Sequence, residues 1–114
     1  MTYWNIGDEE WRDPRVVAAG GAFAMYVAAG SWCMGEVRNR ELPEVWFVPD
    51  FWVGTWPDGE KPSVGRKMAK TLCTVGLWER VPGGYRYAWI RDCNTPDAVR
   101  KLRDRWKRSK DGES

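Results

Sequence analysis

A chain of 114 residues and 13.2 kDa holds one domain and one core, with no room for a separate catalytic or regulatory domain. Aromatics at 14% exclude disorder although mean hydropathy is −0.61, and the absence of histidine removes the usual general base, the commonest metal ligand and the near-neutral pH switch. The net charge of +2 conceals a division: residues 1–60 carry four basic and ten acidic side chains (−6), residues 61–110 fourteen basic and four acidic (+10).

Residues 1–12, with Trp4, Ile6 and Trp11 around Asp8-Glu9-Glu10, read as an arm that packs its aromatic groups on the body. Asp13-Pro14 is a helix start, an acceptor at the N-cap and a residue at N1 whose missing N–H costs nothing. Val16, Gly20, Phe23 and Val27 follow at helical spacing, predicting a first helix over 14–33. Gly20-Gly21 inside it costs about 1 kcal/mol per residue against Ala, which predicts a close approach by another element there. A charged connection over 35–42 leads to Val45-Trp46-Phe47-Val48, a short strand that stops at Pro49. Pro49-Asp50 opens a short second helix over Phe51, Trp52, Val53 and Trp56, ended by Pro57-Asp58-Gly59. Ser63 is the expected N-cap of a third helix over 64–75, with Val64, Met68, Leu72 and Val75 as its apolar stripe and Gly76 at its C-cap. Arg66, Lys67, Lys70, Thr71 and Thr74 fall on the opposite face. Leu77–Val81 and Tyr85–Ile90 make a β-hairpin about a turn at Gly83-Gly84. Thr95-Pro96 opens a last helix to about 110, whose Val99, Leu102 and Trp106 form one stripe that docks on the body while its Lys and Arg project elsewhere; residues 111–114 are a tail.

Cys33, Cys73 and Cys93 contain no CxxC pair, so the reading is three reduced thiols packed as small apolar side chains in an intracellular protein. Val16–Met34 runs about as long as a membrane span, but its glycines dilute its hydrophobicity, and it is read as a buried helix. Asp50, Asp58 and Glu60 are acidic turn residues that water solvates. The expectation is a protein without catalytic residues, metal or cofactor.

Helix, short strand, short helix, turn, helix, hairpin is the element order of a winged helix-turn-helix, in which the third helix is presented to DNA and the hairpin is the wing. The predicted fold is therefore α+β: an arm (1–12), a winged-helix domain (13–91) and a basic C-terminal helix (95–110). The cationic half points to the same surface, because neutralising phosphates releases counterions without sequence reading. Candidate contacts to double-stranded DNA are Ser63, Arg66, Lys67, Lys70, Thr71 and Thr74 on the third helix and Arg80 and Arg86 on the wing. Arg100, Lys101, Arg103, Arg105, Lys107, Arg108 and Lys110 on the last helix would track the backbone, or pair with the acidic half of a second copy in a homodimer. Trp32, Trp78 and Trp89 are assigned to the core. Trp46, Phe51, Trp52 and Trp56 crowd more apolar surface than a two-turn helix buries, so part of this group is read as a protein interface. The alternative to DNA binding is accordingly a winged-helix module that binds another protein.

The stretches Asp13-Pro14-Arg15-Val16-Val17 to Ala28-Ala29-Gly30-Ser31-Trp32-Cys33, Phe47-Val48-Pro49, and Leu72 to Val75-Gly76-Leu77-Trp78-Glu79-Arg80-Val81-Pro82-Gly83-Gly84-Tyr85 with Trp89 resemble the N-terminal winged-helix domain of replication-initiator-like and DnaD-like proteins of actinobacterial phages. The resemblance spans roughly residues 13–91, and its Gly-Ser-Trp-Cys and Gly-Leu-Trp-Glu elements are the most specific. It implies a phage-encoded DNA-binding protein acting in the host cytoplasm, in replication or transcription control; in the alternative reading the partner is a host or phage protein, bound through the aromatic second helix or the charged tail. The chain departs from that pattern at Asn39-Arg40-Glu41, in its aromatic-rich second helix and in lacking a long C-terminal region.

Overall fold

The fold is described from a computed structural model covering residues 4, 6, 13–37 and 41–112, the last four by backbone alone. Asp13 caps α1 (Pro14–Ala19), its carboxylate accepting from the Arg15 N–H at 2.9 Å. The helical run does not continue to residue 33 as one rod. Gly20 takes φ +56°, a 3-10 turn covers Gly20–Ala22, and α2 resumes at Phe23 and ends at Glu36. A side chain at Gly20 or Gly21 would meet nothing within 4 Å. Gly20 therefore marks a bend that needs positive φ; the helix Pro62–Thr74 does pack against this turn, as the sequence predicts, but it crowds neither glycine.

The crowded glycines lie elsewhere. A Cβ on Gly30 of α2 would overlap the Trp4 ring, and one on Gly65 would overlap the Val53 carbonyl and lie 2.6 Å from that of Trp56. Gly30 thus seats the one described aromatic of the arm, where Trp4 meets Tyr26 and Tyr87 at ring separations of 5.7 and 5.2 Å. Trp11 lies outside the described residues. Gly65 lets α4 (Pro62–Thr74) cross directly against α3 (Asp50–Thr55). The helix begins two positions earlier than Ser63 implies: Lys61 is its N-cap without a side-chain hydrogen bond, Pro62 occupies N1, and Ser63 is an exposed residue of the first turn. Its other end follows the sequence. Gly76 takes φ +85°, its N–H reaches the Cys73 carbonyl at 3.2 Å and that of Leu77 reaches Leu72 at 3.0 Å, a Schellman closure.

β1 (Phe47–Pro49), β2 (Trp78–Val81) and β3 (Gly84–Tyr87) form an antiparallel sheet in the order β1-β3-β2. Val81 pairs with Gly84, so the hairpin turn is Pro82-Gly83, with Gly83 at φ +81°, and not Gly83-Gly84. Pro followed by a glycine at positive φ is the type II combination. Gly84 belongs to β3, where a Cβ would overlap the Val48 carbonyl and sit 2.7 Å from the Phe47 ring.

The core lies between the α2 face of Met25, Tyr26, Ala29 and Cys33, the α4 face of Ala69 and Leu72, and the sheet residues Val48, Trp78, Tyr85 and Tyr87. Tyr26 and Tyr87 bring their hydroxyls in with partners: Tyr87 donates to the Tyr26 carbonyl at 2.6 Å, and Tyr26 to that of Trp89 at 2.8 Å. Residues 14–36 are long and apolar enough, by length and composition, to cross a membrane. In the fold they supply the central core face, which is consistent with a soluble protein.

After a short 3-10 turn at Asp92–Asn94, Thr95 caps α5 (Pro96–Gly112) by accepting from the Ala98 N–H at 3.2 Å. Only the start of the α5 stripe docks: Val99 is buried, Leu102 is half-buried and Trp106 is 63% exposed. The radius of gyration is 15.4 Å and the longest extent 52 Å, against about 13 Å for a compact domain of this length. The far half of α5 extends from the body.

Candidate functional site

Three groups of candidate residues are placed differently. On α4, the sequence from Ser63 through Arg66, Lys67 and Lys70 to Thr74 has the spacing of one helical face, and all five are exposed while Gly65, Ala69 and Leu72 point inward. Arg66, Lys67 and Lys70 form no ion pair among the described residues. Thr71 and Thr74 spend their hydroxyl protons on the Lys67 and Lys70 carbonyls at 3.2 and 3.0 Å, so both present only acceptor oxygens outward.

The two hairpin arginines are engaged. Arg80 grips Asp50 with both guanidinium nitrogens, Nη2 reaching Oδ2 at 3.1 Å, while its plane lies 4.7 Å from the Tyr85 ring centroid. Its Nη1 also donates to the Gly84 carbonyl at 3.3 Å. The Asp50 N–H in turn reaches the Gly83 carbonyl at 3.0 Å, so the first residue of α3 ties down the hairpin turn from two directions. Hydrogen bonding from Arg80, reinforced by the charges of Arg80 and Arg66, holds the Asp50 carboxyl below its ordinary range. Asp50 is thus an ion-pair partner and not simply a solvated turn residue. Arg86 donates to Glu79 from Nε at 2.8 Å and from Nη2 at 2.6 Å.

On α5, Asp97 holds Arg100 at 3.2 Å and Lys101 at 3.3 Å, and Arg103 donates to the Val37 carbonyl at the end of α2. Arg105, Lys107 and Arg108 are exposed without an ion pair among the described residues. The side chain of Lys110 lies outside the described residues.

A groove of about 660 Å³ runs between α3, the start of α4 and the hairpin, with Asp50, Phe51, Pro62, Arg66, Arg80 and Tyr85 among its lining. The aromatic group expected to form an interface divides here. Trp46 is 2% exposed, its indole N–H donating to the Asn94 carbonyl at 2.6 Å, and Trp52 is buried between Trp32 and Trp56 at ring separations of 6.1 and 6.0 Å. Both leave the interface set. Phe51 remains 67% exposed at the groove, and Trp56 is half-buried. Trp78 is a core residue as expected, while Trp32 and Trp89 pack against the core from its margin.

The thiols also differ from one another. Cys33 is buried and its pKa is pushed up to about 12 by burial; Cys73 is half-buried and raised by the same cause. Cys93 is exposed, contrary to the expectation of three packed thiols.

Two pairings were not found from the sequence. Glu79 and Arg86 face each other because the turn is Pro82-Gly83, and the Pro-Gly signal would have placed them so. Asp50 and Arg80 stand 30 positions apart, and no local pattern links them. No protein-family model matches the chain, and comparison with curated proteins and with solved structures gives no match.

Proposed function

We propose that the chain is a winged-helix protein that binds double-stranded DNA, with α4 as the recognition helix and the β2–β3 hairpin as the wing. The observation that carries this reading is the exposed face of α4, where Arg66, Lys67 and Lys70 form no ion pair among the described residues, whereas Arg80, Arg86, Arg100 and Lys101 each face a carboxylate. The element order supports it, since α4 comes immediately before the β2–β3 hairpin and its polar face is exposed. An arginine on that face can pair bidentately with guanine in the major groove, while lysines serve as point charges on phosphate.

The wing has a secondary role in this reading. Arg80 and Arg86 reach DNA only by giving up Asp50 and Glu79, so each contact is offset by a lost ion pair. The unpaired α5 cations Arg105, Lys107 and Arg108 add sequence-independent attraction to the backbone. The resemblance to phage replication-initiator-like proteins points to a role at an origin or promoter in a host cytoplasm, as a non-enzymatic DNA binder.

An electrophoretic shift of mixed-sequence duplex at low salt tests the reading. The unaltered protein retards the duplex, and the variant with Arg66→Glu, Lys67→Glu and Lys70→Glu does not; absence of a shift with the unaltered protein sinks the proposal. Phe51, exposed on the groove, favours a second reading in which the same fold docks a protein partner. A protein that binds no duplex, together with a captured partner released by Phe51→Ser, decides for that reading.

A further inference from the structure

We propose that Trp106 is a stacking platform for an unpaired base, so that the free half of α5 directs the protein to junctions between duplex and single-stranded DNA. The inference rests on the DNA-binding reading above and adds a substrate class to it. Trp106 is 63% exposed, makes no ring contact among the described residues, and stands on a helix whose residues 104–108 are all exposed. A large indole left in water forgoes the burial that the other described tryptophans obtain. Its immediate chain neighbours are Arg105 and Lys107, with Arg108 one position on, all three without an ion pair among the described residues.

The chemistry selects the occupant. A second α5 laid along this stripe would bring Arg105 and Lys107, which flank Trp106 on either side of the helix, toward like cations of the other copy, and like charges oppose that pairing; Arg108 lies on the opposite face. A polyanion reverses the sign. An aromatic ring interleaved with cations is the arrangement that holds single strands, in which every base offers a π-face and phosphates follow at regular spacing. Within intact duplex those faces are stacked away, and exposing one costs a few kcal/mol. An unpaired base next to a duplex meets no such cost, and the charged face of α4 supplies the duplex contact.

The test compares three DNAs of common sequence: a blunt duplex, the same duplex with a single-stranded overhang, and the single strand alone. The unaltered protein, Trp106→Ala, Trp106→Phe and the α4 triple-Glu variant are titrated against each by anisotropy. The unaltered protein favours the overhang over the blunt duplex by roughly tenfold. Trp106→Ala loses that preference while keeping its affinity for the blunt duplex, and Trp106→Phe retains most of it. The residue is exposed on a projecting helix, and circular dichroism confirms that each variant keeps its helix content.

Equal binding of blunt and overhanging duplex by the unaltered protein overturns the proposal, as does a preference that survives Trp106→Ala. A change of solution mass on Trp106→Ala, without a change in preference, assigns the residue to a contact between copies and equally overturns it. If the unaltered protein holds the single strand through Trp106 but not the blunt duplex, the α4 reading fails and the junction preference with it, and only the assignment of Trp106 to base stacking stands.

Discussion

Gly65 shows how a single hydrogen in place of a side chain sets the geometry of the candidate surface. Its position against the Val53 and Trp56 carbonyls fixes the crossing of α3 and α4, and hence the direction in which Arg66, Lys67 and Lys70 point. Gly65→Ala should destabilise the fold by about 1–3 kcal/mol, because the new methyl meets backbone that cannot rotate away. Gly21→Ala, facing open space in the 3-10 turn, should be neutral or stabilising by up to about 1 kcal/mol through the unfolded chain. Urea midpoints at constant slope check both. Sequence reasoning assigned the close approach to Gly20-Gly21 because the pair sits in a helical pattern. Whether a glycine is crowded depends on which element crosses it, and that information is not local. Cys33 carries a second prediction. The folded state keeps its thiol protonated to about pH 12, whereas an unfolded thiol ionises near 8.5. Stability from this difference is full below about pH 8.5 and is lost as pH rises toward 12; Tyr87, buried and raised well above its ordinary value, adds to the loss above about pH 10. The urea midpoint should fall between pH 8 and 10.5, less steeply in Cys33→Ala. A maleimide should modify Cys93 in the folded protein and reach Cys33 only on unfolding.

Among the elements, helix ends with a local cap were legible, the Ser63 start and the break at Gly20 were not, and helix faces were legible in part. Asp13-Pro14, Thr95-Pro96 and Gly76 act through bonds to residues two to five positions away, so their chemistry is written in short windows. The polar face of α4 follows from its spacing alone. The docking of α5 does not: Val99, Leu102 and Trp106 share a stripe, but the body beneath it ends before Trp106. The aromatic crowding at Trp46 and Trp52 likewise looked like surplus surface until α2 and the 92–94 turn arrived to cover it. The hairpin yields the prediction of this scale. Arg80 is held by Asp50 and Arg86 by Glu79, so Arg80→Ala and Arg86→Ala should each weaken duplex binding less than Lys67→Ala or Lys70→Ala. Asp50→Asn frees Arg80 and should strengthen binding while loosening the tie between α3 and the hairpin turn. The Asp50–Arg80 pair also contributes to the acid dependence of stability. Asp50 and Asp13 both have folded pKa values below the unfolded value near 3.9, so their stabilisation is present above about pH 4 and is lost as pH falls through the folded values. Asp50→Asn should lower the urea midpoint above about pH 4 and flatten its fall in acid, the two proteins converging at the lowest pH.

At the scale of the whole molecule, the division into −6 and +10 becomes a distribution of free and engaged charge. Of the cationic half, Arg80 and Arg86 are each balanced by a carboxylate and Arg100 and Lys101 share that of Asp97, whereas Arg66, Lys67, Lys70, Arg105, Lys107 and Arg108 remain unpaired among the described residues. A count of basic residues overstates the available field, and the fold concentrates what is left on α4 and on the projecting end of α5. Affinity for duplex DNA carried by these groups must fall steeply with salt, with a slope of about 0.9 in log–log form for each phosphate neutralised. The decisive measurement is the salt dependence of duplex binding for the unaltered protein and for the variant with Arg66→Ala, Lys67→Ala and Lys70→Ala. If α4 is the recognition helix, the variant binds more weakly at every salt concentration and its slope is shallower by about 3. Parallel lines, with the unaltered protein and the variant showing one slope, would contradict the assignment of α4 to the DNA.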